Sequence, residues 1–449
     1  MKIIIAGAGD IGFYLAKLLS YESQDIYLID TDQEKLDNIS RSLDVITIHG
    51  DATSANVLKQ LDIKNAGLLI AVTESQNTNF TIAAIGKKLG AKKTVARMDN
   101  TDIFNECDID FKSLGIDIVI SPKALAAEEI RSLLLRPAFD DFMEFENGEL
   151  YIVGSKLSRK SPIKGISVRN CKQTYNDINF ITIALQRENS SRTIIADGDT
   201  TFHSGDHVYF AVPAESIDKI HKILGKPNTR IKDVMILGGG IIGRNTLKTL
   251  SQEGFKIKLI EKEKRTAFSI AEEFPEALII NADGRNVEML DEENISGMDA
   301  FVAVTDNSET NIMSSLVAKT KGVKKTIALV ENIDYIKISQ AIGIDTLINK
   351  KLLAASGIFK YIRKGKVISL ANTHTMDAEV LEFEVKSNSF VDGRSIKELK
   401  LSQEAVFCGI VRTGKLIMPF GDFVFQAEDR VIVFALNKII NKLGEIFNK

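Results

Sequence analysis

Lys2-Ile3-Ile4-Ile5-Ala6-Gly7-Ala8-Gly9-Asp10-Ile11-Gly12 opens the chain, a short apolar run that feeds straight into a glycine-spaced turn. A strand this short and this apolar reads as buried on both faces, as strands of parallel sheets are. Gly7 supplies the tight turn, Gly9 lets a pyrophosphate approach the backbone, and Gly12 lets the next helix pack close to the strand. Ala8, Asp10 and Ile11 complete the turn and the helix start, whose N–H groups and positive dipole end suit an anion. The same glycine spacing also occurs in ordinary α/β turns. Here, however, the next predicted strand, Asp25-Ile26-Tyr27-Leu28-Ile29, ends in Asp30, 18 residues beyond Gly12. An acid at that place accepts from ribose hydroxyls and repels a 2′-phosphate, which favours NAD over NADP.

Strand and helix signals keep alternating outward from this unit. Predicted strands at Val45–Ile48, Leu68–Val72, Thr94–Ala96 and Ile118–Ile120 end near Asp51-Ala52, Thr73-Glu74, Arg97 and Ser121-Pro122. Six such units predict a doubly wound parallel sheet of the Rossmann type, with its ligand off the carboxyl ends of the strands. A helix then runs from Pro122 to the stop at Arg136-Pro137. From 141 to about 224 the pattern changes to short strands with Gly-Asp turns, which predicts a small α+β domain, and a linker follows at Gly225–Arg230.

The whole programme then repeats. Val234–Leu237 leads into Gly238-Gly239-Gly240-Ile241-Ile242-Gly243, and the next strand ends in Glu261. Gly7 and Gly238 are 231 apart, as are Asp30 and Glu261, while Asp51 and Asp283, Thr73 and Thr305, and Asn79 and Asn311 are 232 apart. The Gly-Asp turns recur at Gly421-Asp422 and Asp429. The expected architecture is therefore α/β, with a Rossmann domain at 1–137, a small α+β domain at 138–225, a second Rossmann domain at 231–366 and a second small domain at 367–449.

Composition narrows the function classes. Net charge is −3, from 57 basic and 60 acidic residues, so no global field attracts nucleic acid or an anionic membrane. Three scattered cysteines, Cys107, Cys171 and Cys408, argue for a reducing compartment and form no metal spacing. No apolar window approaches the ~20 residues of a membrane span, and the opening strand leaves no room for a signal peptide. These features predict a cytoplasmic protein.

The glycine turn, Asp30, Gly50-Asp51-Ala52-Thr53, Val72-Thr73, Ala96-Arg97 and the paired Gly-Asp turns together resemble the peripheral regulatory subunits of bacterial and archaeal Trk potassium uptake systems, which carry two regulator-of-potassium-conductance (RCK) units per chain. The resemblance covers essentially the whole sequence. It implies NAD or NADH as cofactor, ATP or ADP as further nucleotides, and a homo-oligomeric ring that gates an integral-membrane potassium channel or transporter subunit. That places the protein peripherally on the inner face of the membrane. The competing class is an NAD-dependent oxidoreductase, but the small domains offer no obvious substrate domain with a proton donor.

Each candidate side chain also has a plain structural reading. Asp51 is either the adenine-edge contact or a turn acid; Thr73 and Glu74 line the phosphate or nicotinamide side or cap a helix with Asn77 or Asn79 nearby. Arg97 is a phosphate partner or an ordinary ion pair, and its counterpart in the second copy is Leu329. Together with Ala282-Asp283-Gly284 and Arg244, this difference predicts that the second site prefers another nucleotide or binds more weakly. His203 and His207 read as hairpin residues rather than metal ligands, and His374 as a junction residue. The apolar helices after Pro122 and around Leu352–Ile358 are either core or the swapped helices through which such domains pair.

Overall fold

The computed structural model describes residues 1–20, 25–99, 110–188, 190, 192–226, 230–332, 335, 342–362, 378–401 and 403–448. Cys107, His374 and the expected boundary near 366 lie outside the described residues. The chain folds as two units, one made of residues 1–134 and 231–362, the other of 135–230 and 363–449.

The first segment forms strands β1 (Lys2–Ala6), β2 (Asp25–Asp30), β3 (Ile46–His49), β4 (Leu68–Ala71), β5 (Thr94–Arg97) and β6 (Ile118–Ile120). Helices α1 (Asp10–Ser20), α2 (Gln33–Ser40), α3 (Ala55–Gln60), α4 (Gln76–Lys88) and α5 (Pro122–Leu135) connect or follow them. The sheet is parallel in the order β3-β2-β1-β4-β5-β6, so the winding reverses between β1 and β4. Ile3, Ile4 and Ile5 are wholly buried, as a strand covered on both faces requires.

The next segment forms β7 (Asp141–Phe145), β8 (Leu150–Lys156), α6 (Val168–Thr174), β9 (Ile181–Gln186), β10 (Thr193–Ile195), β11 (His207–Pro213) and α7 (Ile220–Leu224). Its sheet is antiparallel, ordered β10-β9-β11-β8-β7. The turn acid Asp206, buried to 1% exposure, takes the Arg187 guanidinium and the His203 N–H, so this repeated turn is a structural clamp. His207 lies in a strand, 2.8 Å from Asp141 and stacked on Tyr209. Among the described residues no metal-binding group of acids, histidines and cysteines forms.

The second copy repeats both patterns. Strands β12 (Asp233–Leu237), β13 (Lys256–Glu261), β14 (Leu278–Asn281), β15 (Ala300–Ala303), β16 (Lys325–Leu329) and β17 (Thr346–Ile348) pair in the order β14-β13-β12-β15-β16-β17. Helices α8 (Ile241–Gln252), α9 (Lys264–Glu273), α10 (Val287–Glu292), α11 (Ser308–Thr320) and α12 (Lys350–Ile362) accompany them. Finally β18 (Ala378–Glu384), β19 (Ala405–Arg412), β20 (Lys415–Ile417), β21 (Arg430–Leu436) and α13 (Ile440–Asn448) form the second small domain, its sheet ordered β18-β21-β19-β20. Asp429, the counterpart of Asp206, is gripped by Arg412 through two bonds of 2.7 Å.

The two apolar helices resolve into core and swap at once. In the first unit Ile130, Leu133 and Leu134 of α5 are buried among Val234, Ile236, Leu247 and Leu250 of the second Rossmann half. Reciprocally, α12 packs along α1 of the first half. Each fully buried aliphatic side chain contributes about 1.5–3 kcal/mol of apolar transfer. The exchange therefore joins the halves of one chain through a shared core. In the second unit the two small sheets face each other, with Phe145, Ile152, Ile183 and Tyr209 packed against Val380, Cys408, Ile432 and Phe434. Cys171 and Cys408 are both buried and free, and burial pushes each thiol up to about 12, which keeps them unreactive.

Candidate functional site

A cavity of about 540 Å³ opens at the carboxyl ends of the first sheet's strands. Of the expected residues, Gly7, Gly9, Asp10, Ile11, Asp30, Asp51, Ala52, Thr73, Glu74 and Arg97 line it. Ala8 and Gly12 do not. Ala8 gives its N–H to Asp30 Oδ2 at 2.5 Å, and Asp30 Oδ1 accepts from the Asp32 N–H at 2.9 Å. The acid thus ties the glycine turn to the end of β2.

The three glycines have separable causes. Gly7 has φ +110° and its missing side chain faces the Thr73 backbone, so both conformation and packing demand it. A Cβ at Gly12 would overlap the Gly7 carbonyl oxygen. At Gly9, φ is not positive and a Cβ would meet nothing within 4 Å. The second copy repeats this: Gly240 also faces open space, and a Cβ at Gly243 would overlap the Gly238 carbonyl oxygen. Neither strain nor packing explains Gly9 and Gly240, yet both line cavities. A glycine at such a place leaves room for a ligand to approach the backbone closely.

Thr73 does not cap a helix; Ser75 caps α4 by accepting from the Thr78 N–H. Instead the wholly buried Asn79 accepts from the Thr73 N–H at 2.8 Å and hydroxyl at 2.7 Å, and donates to the Arg97 carbonyl at 3.0 Å. Asn311 makes the same bonds to Thr305 and Leu329. These asparagines hold the ends of two strands together in each copy, and their equal register is the signal that marks them. Asp51 accepts from the N–H and hydroxyl of Thr53, both at 2.8 Å, in a turn. Arg97 pairs with Asp99 at 3.0 Å and is 19% exposed, so its ion pair stands beside the cavity rather than replacing it.

Three further residues reach the first cavity from the second half: Glu331, Lys350 and Lys351. Lys350 pairs with Glu331 at 2.6 Å, and Lys351 with Asp10 at 2.5 Å across the halves. The hydrogen bond from Lys350 holds the Glu331 carboxyl below its ordinary range. Sequence reasoning missed these lysines, because only the position of α12 brings them to the first site.

The second cavity, about 580 Å³, is lined by Gly238, Gly240, Glu261, Asp283 and Thr305 among the expected residues. Gly239, Ile241, Ile242 and Gly243 lie outside its lining. Gly239 gives its N–H to Glu261 Oε2 at 2.6 Å, the same tie that Ala8 makes. Here Asp283 is engaged by Arg285 at 2.6 Å, whose hydrogen bonds hold its carboxyl far below the usual range, and by Lys262 at 3.8 Å. Arg244 turns to Glu273 at 2.8 Å and is not a lining residue.

Residues 3–122 and 234–350 match the TrkA-N domain, and residues 152–225 and 380–448 match the TrkA-C domain. The chain belongs to the TrkA family. The Trk system potassium uptake protein TrkA homolog of Archaeoglobus fulgidus is 30% identical over 447 residues, covering 100% of both chains. TrkA of Haemophilus influenzae is 30% identical, covering 98% of this chain and 96% of its own. These relatives are named as transport proteins, not enzymes. The solved GsuK RCK domain superposes with a TM-score of 0.59 at 14% identity, covering 99% of this chain and 94% of that one. The GsuK channel bound to NAD gives 0.59 at 14% identity, with 99% and 78% covered. At that identity the likeness is one of fold.

Proposed function

We propose that this chain is a nucleotide-sensing regulatory subunit that binds NAD or NADH, takes ATP and ADP at its first site, and gates an integral-membrane potassium channel or transporter subunit. It does so as a ring-forming homo-oligomer on the cytoplasmic face, with the four domains bounded as the sequence repeat implies. The observation that carries this reading is the pair Gly9 and Gly240, glycines facing open cavity for which no contact within the fold accounts. The names of the TrkA relatives, and of the NAD-bound channel that shares the fold, support the potassium and NAD parts.

The residues present fit such a nucleotide. Asp30 and Glu261 stand where ribose hydroxyls would donate, the glycine turns where a pyrophosphate would lie, and Asp51 and Ala52 at the adenine side. Thr73, Glu74 and Arg97 lie on the phosphate or nicotinamide side. In the first cavity a longer phosphate chain also meets Lys350 and Lys351, so the ligand touches both Rossmann halves. Binding then reports on how the halves fit. A ligand shifts that equilibrium only by its differential affinity, and ~1–3 kcal/mol of coupling changes opening some ~5–150-fold.

The site chemistry is tested by a ladder of ligands. In Arg97→Leu and Lys351→Gln, affinity for the first site is expected to fall progressively more from adenosine to ADP to ATP, because charge-assisted bonds scale with the phosphates present. Calorimetric titration against adenosine, ADP, ATP and NADH reads this; a uniform loss makes these residues structural. The regulatory role is tested by K⁺ flux into liposomes holding the channel subunit, with and without this protein, across the same nucleotides. Flux is expected to change with both. Flux indifferent to both, together with NADH oxidation by some metabolite, replaces this reading with the oxidoreductase.

A further inference from the structure

Within the second unit, the face of β18 that meets the first small domain carries Ala378, Val380 and then Glu382. Glu382 is only 2% exposed, and no donor reaches its Oε1. Two charges face it. Arg430, on the adjoining strand β21, has Nη1 3.7 Å from Glu382 Oε1. Glu146, which follows β7 in the first small domain and is 9% exposed, takes Arg430 Nη2 at 2.5 Å. Glu384, next on the same face, is exposed and paired with Lys386, and so stands outside the group. Two carboxyls therefore share one guanidinium, and the nearer one holds it.

We propose that Glu146, Glu382 and Arg430 form a proton-operated clamp between the two small domains. With one proton held on the carboxyl pair the group is neutral and the domains are fastened. When that proton leaves to solvent, a buried negative charge remains at the seam and loosens it. Burying an unpaired charge is costly, while a protonated carboxyl can donate to its neighbour and needs only a hydrogen bond. Burial first, and then the charge of Glu146, pushes the Glu382 carboxyl up to about 7 against the pull of Arg430. The sign follows from linkage. A carboxyl raised in the folded state contributes stability in full below its unfolded value near ~4.3, and loses it as pH rises to about 7.

Thermal unfolding of the full chain from pH 5 to pH 8.5 tests this in wild type and Glu382→Gln, a neutral mimic of the protonated side chain. A small lead of the variant at pH 5 is expected to grow as pH rises to about 7 and to stay constant above it. A difference that is the same at every pH overturns the clamp. Glu146→Gln, which lets Arg430 turn to Glu382, is expected to flatten the wild-type fall in the same window; an undiminished fall also overturns it. Infrared spectra in D2O at pH 6 supply a readout that packing alone does not move: a protonated-carboxyl band in wild type, absent in Glu382→Gln. If wild type lacks the band, or the variant keeps it, the proton is not there.

Discussion

Gly12→Ala is expected to destabilise the first Rossmann half and to abolish nucleotide binding there. A Cβ at position 12 overlaps a backbone carbonyl, that of Gly7, and no flexible side chain stands in between to move aside. Helix α1 must shift away from β1, and α1 is also the surface on which α12 is seated. Overpacking costs typically ~1–3 kcal/mol, and a backbone obstruction puts this case at about the upper end. Because the turn that presents the N–H groups moves with the helix, affinity at the first site is expected to fall at least about 100-fold, a loss near ~2.7 kcal/mol. Gly9→Ala is the companion: with nothing within 4 Å of its Cβ, it should melt like wild type while still losing ligand, since that methyl group projects into the cavity. Melting curves without nucleotide, followed by calorimetric titration, separate the two effects. A stable, binding-competent Gly12→Ala overturns the packing argument; a binding-competent Gly9→Ala overturns the ligand cradle.

Asp30→Ala should weaken NAD(H) binding at the first site by roughly 1.5–3 kcal/mol, the usual worth of hydrogen bonds to a charged group. That is on the order of 10-fold to 150-fold in affinity. The structure adds a second consequence. Asp30 also accepts from the N–H of Ala8, a residue only 5% exposed, so alanine leaves that donor without its partner and the free protein also loses stability. Glu261→Ala should do the same at the second site through the Gly239 N–H. Titration with NADH and a melt without it distinguish ligand loss from turn loss. Unchanged NADH affinity removes Asp30 from the proposed site.

Much of this was legible in the chain itself, because the relevant forces act over a few residues. An apolar run bounded by glycines specifies a doubly covered strand and a tight turn. The spacing of 231 residues between Gly7 and Gly238, and of 232 between Thr73 and Thr305 and between Asn79 and Asn311, specifies that the pattern is used twice. The short strands from 141 onward were legible as a class but the pairing of β7 and β10 was not, since Asp141–Phe145 and Thr193–Ile195 take their stability from the strands beside them.

What the sequence by itself determined is the repeated α/β architecture and which glycines and acids gather at each sheet's carboxyl edge, since steric demand and hydrophobic period are local properties of the chain. Only the tertiary structure decided which half each apolar helix covers, that Lys350 and Lys351 enter the first cavity rather than the second, that Arg97 meets Asp99, and that Glu382 shares Arg430 with Glu146. Those choices join residues far apart along the chain, where burial and shape complementarity, rather than any local propensity, select the partner.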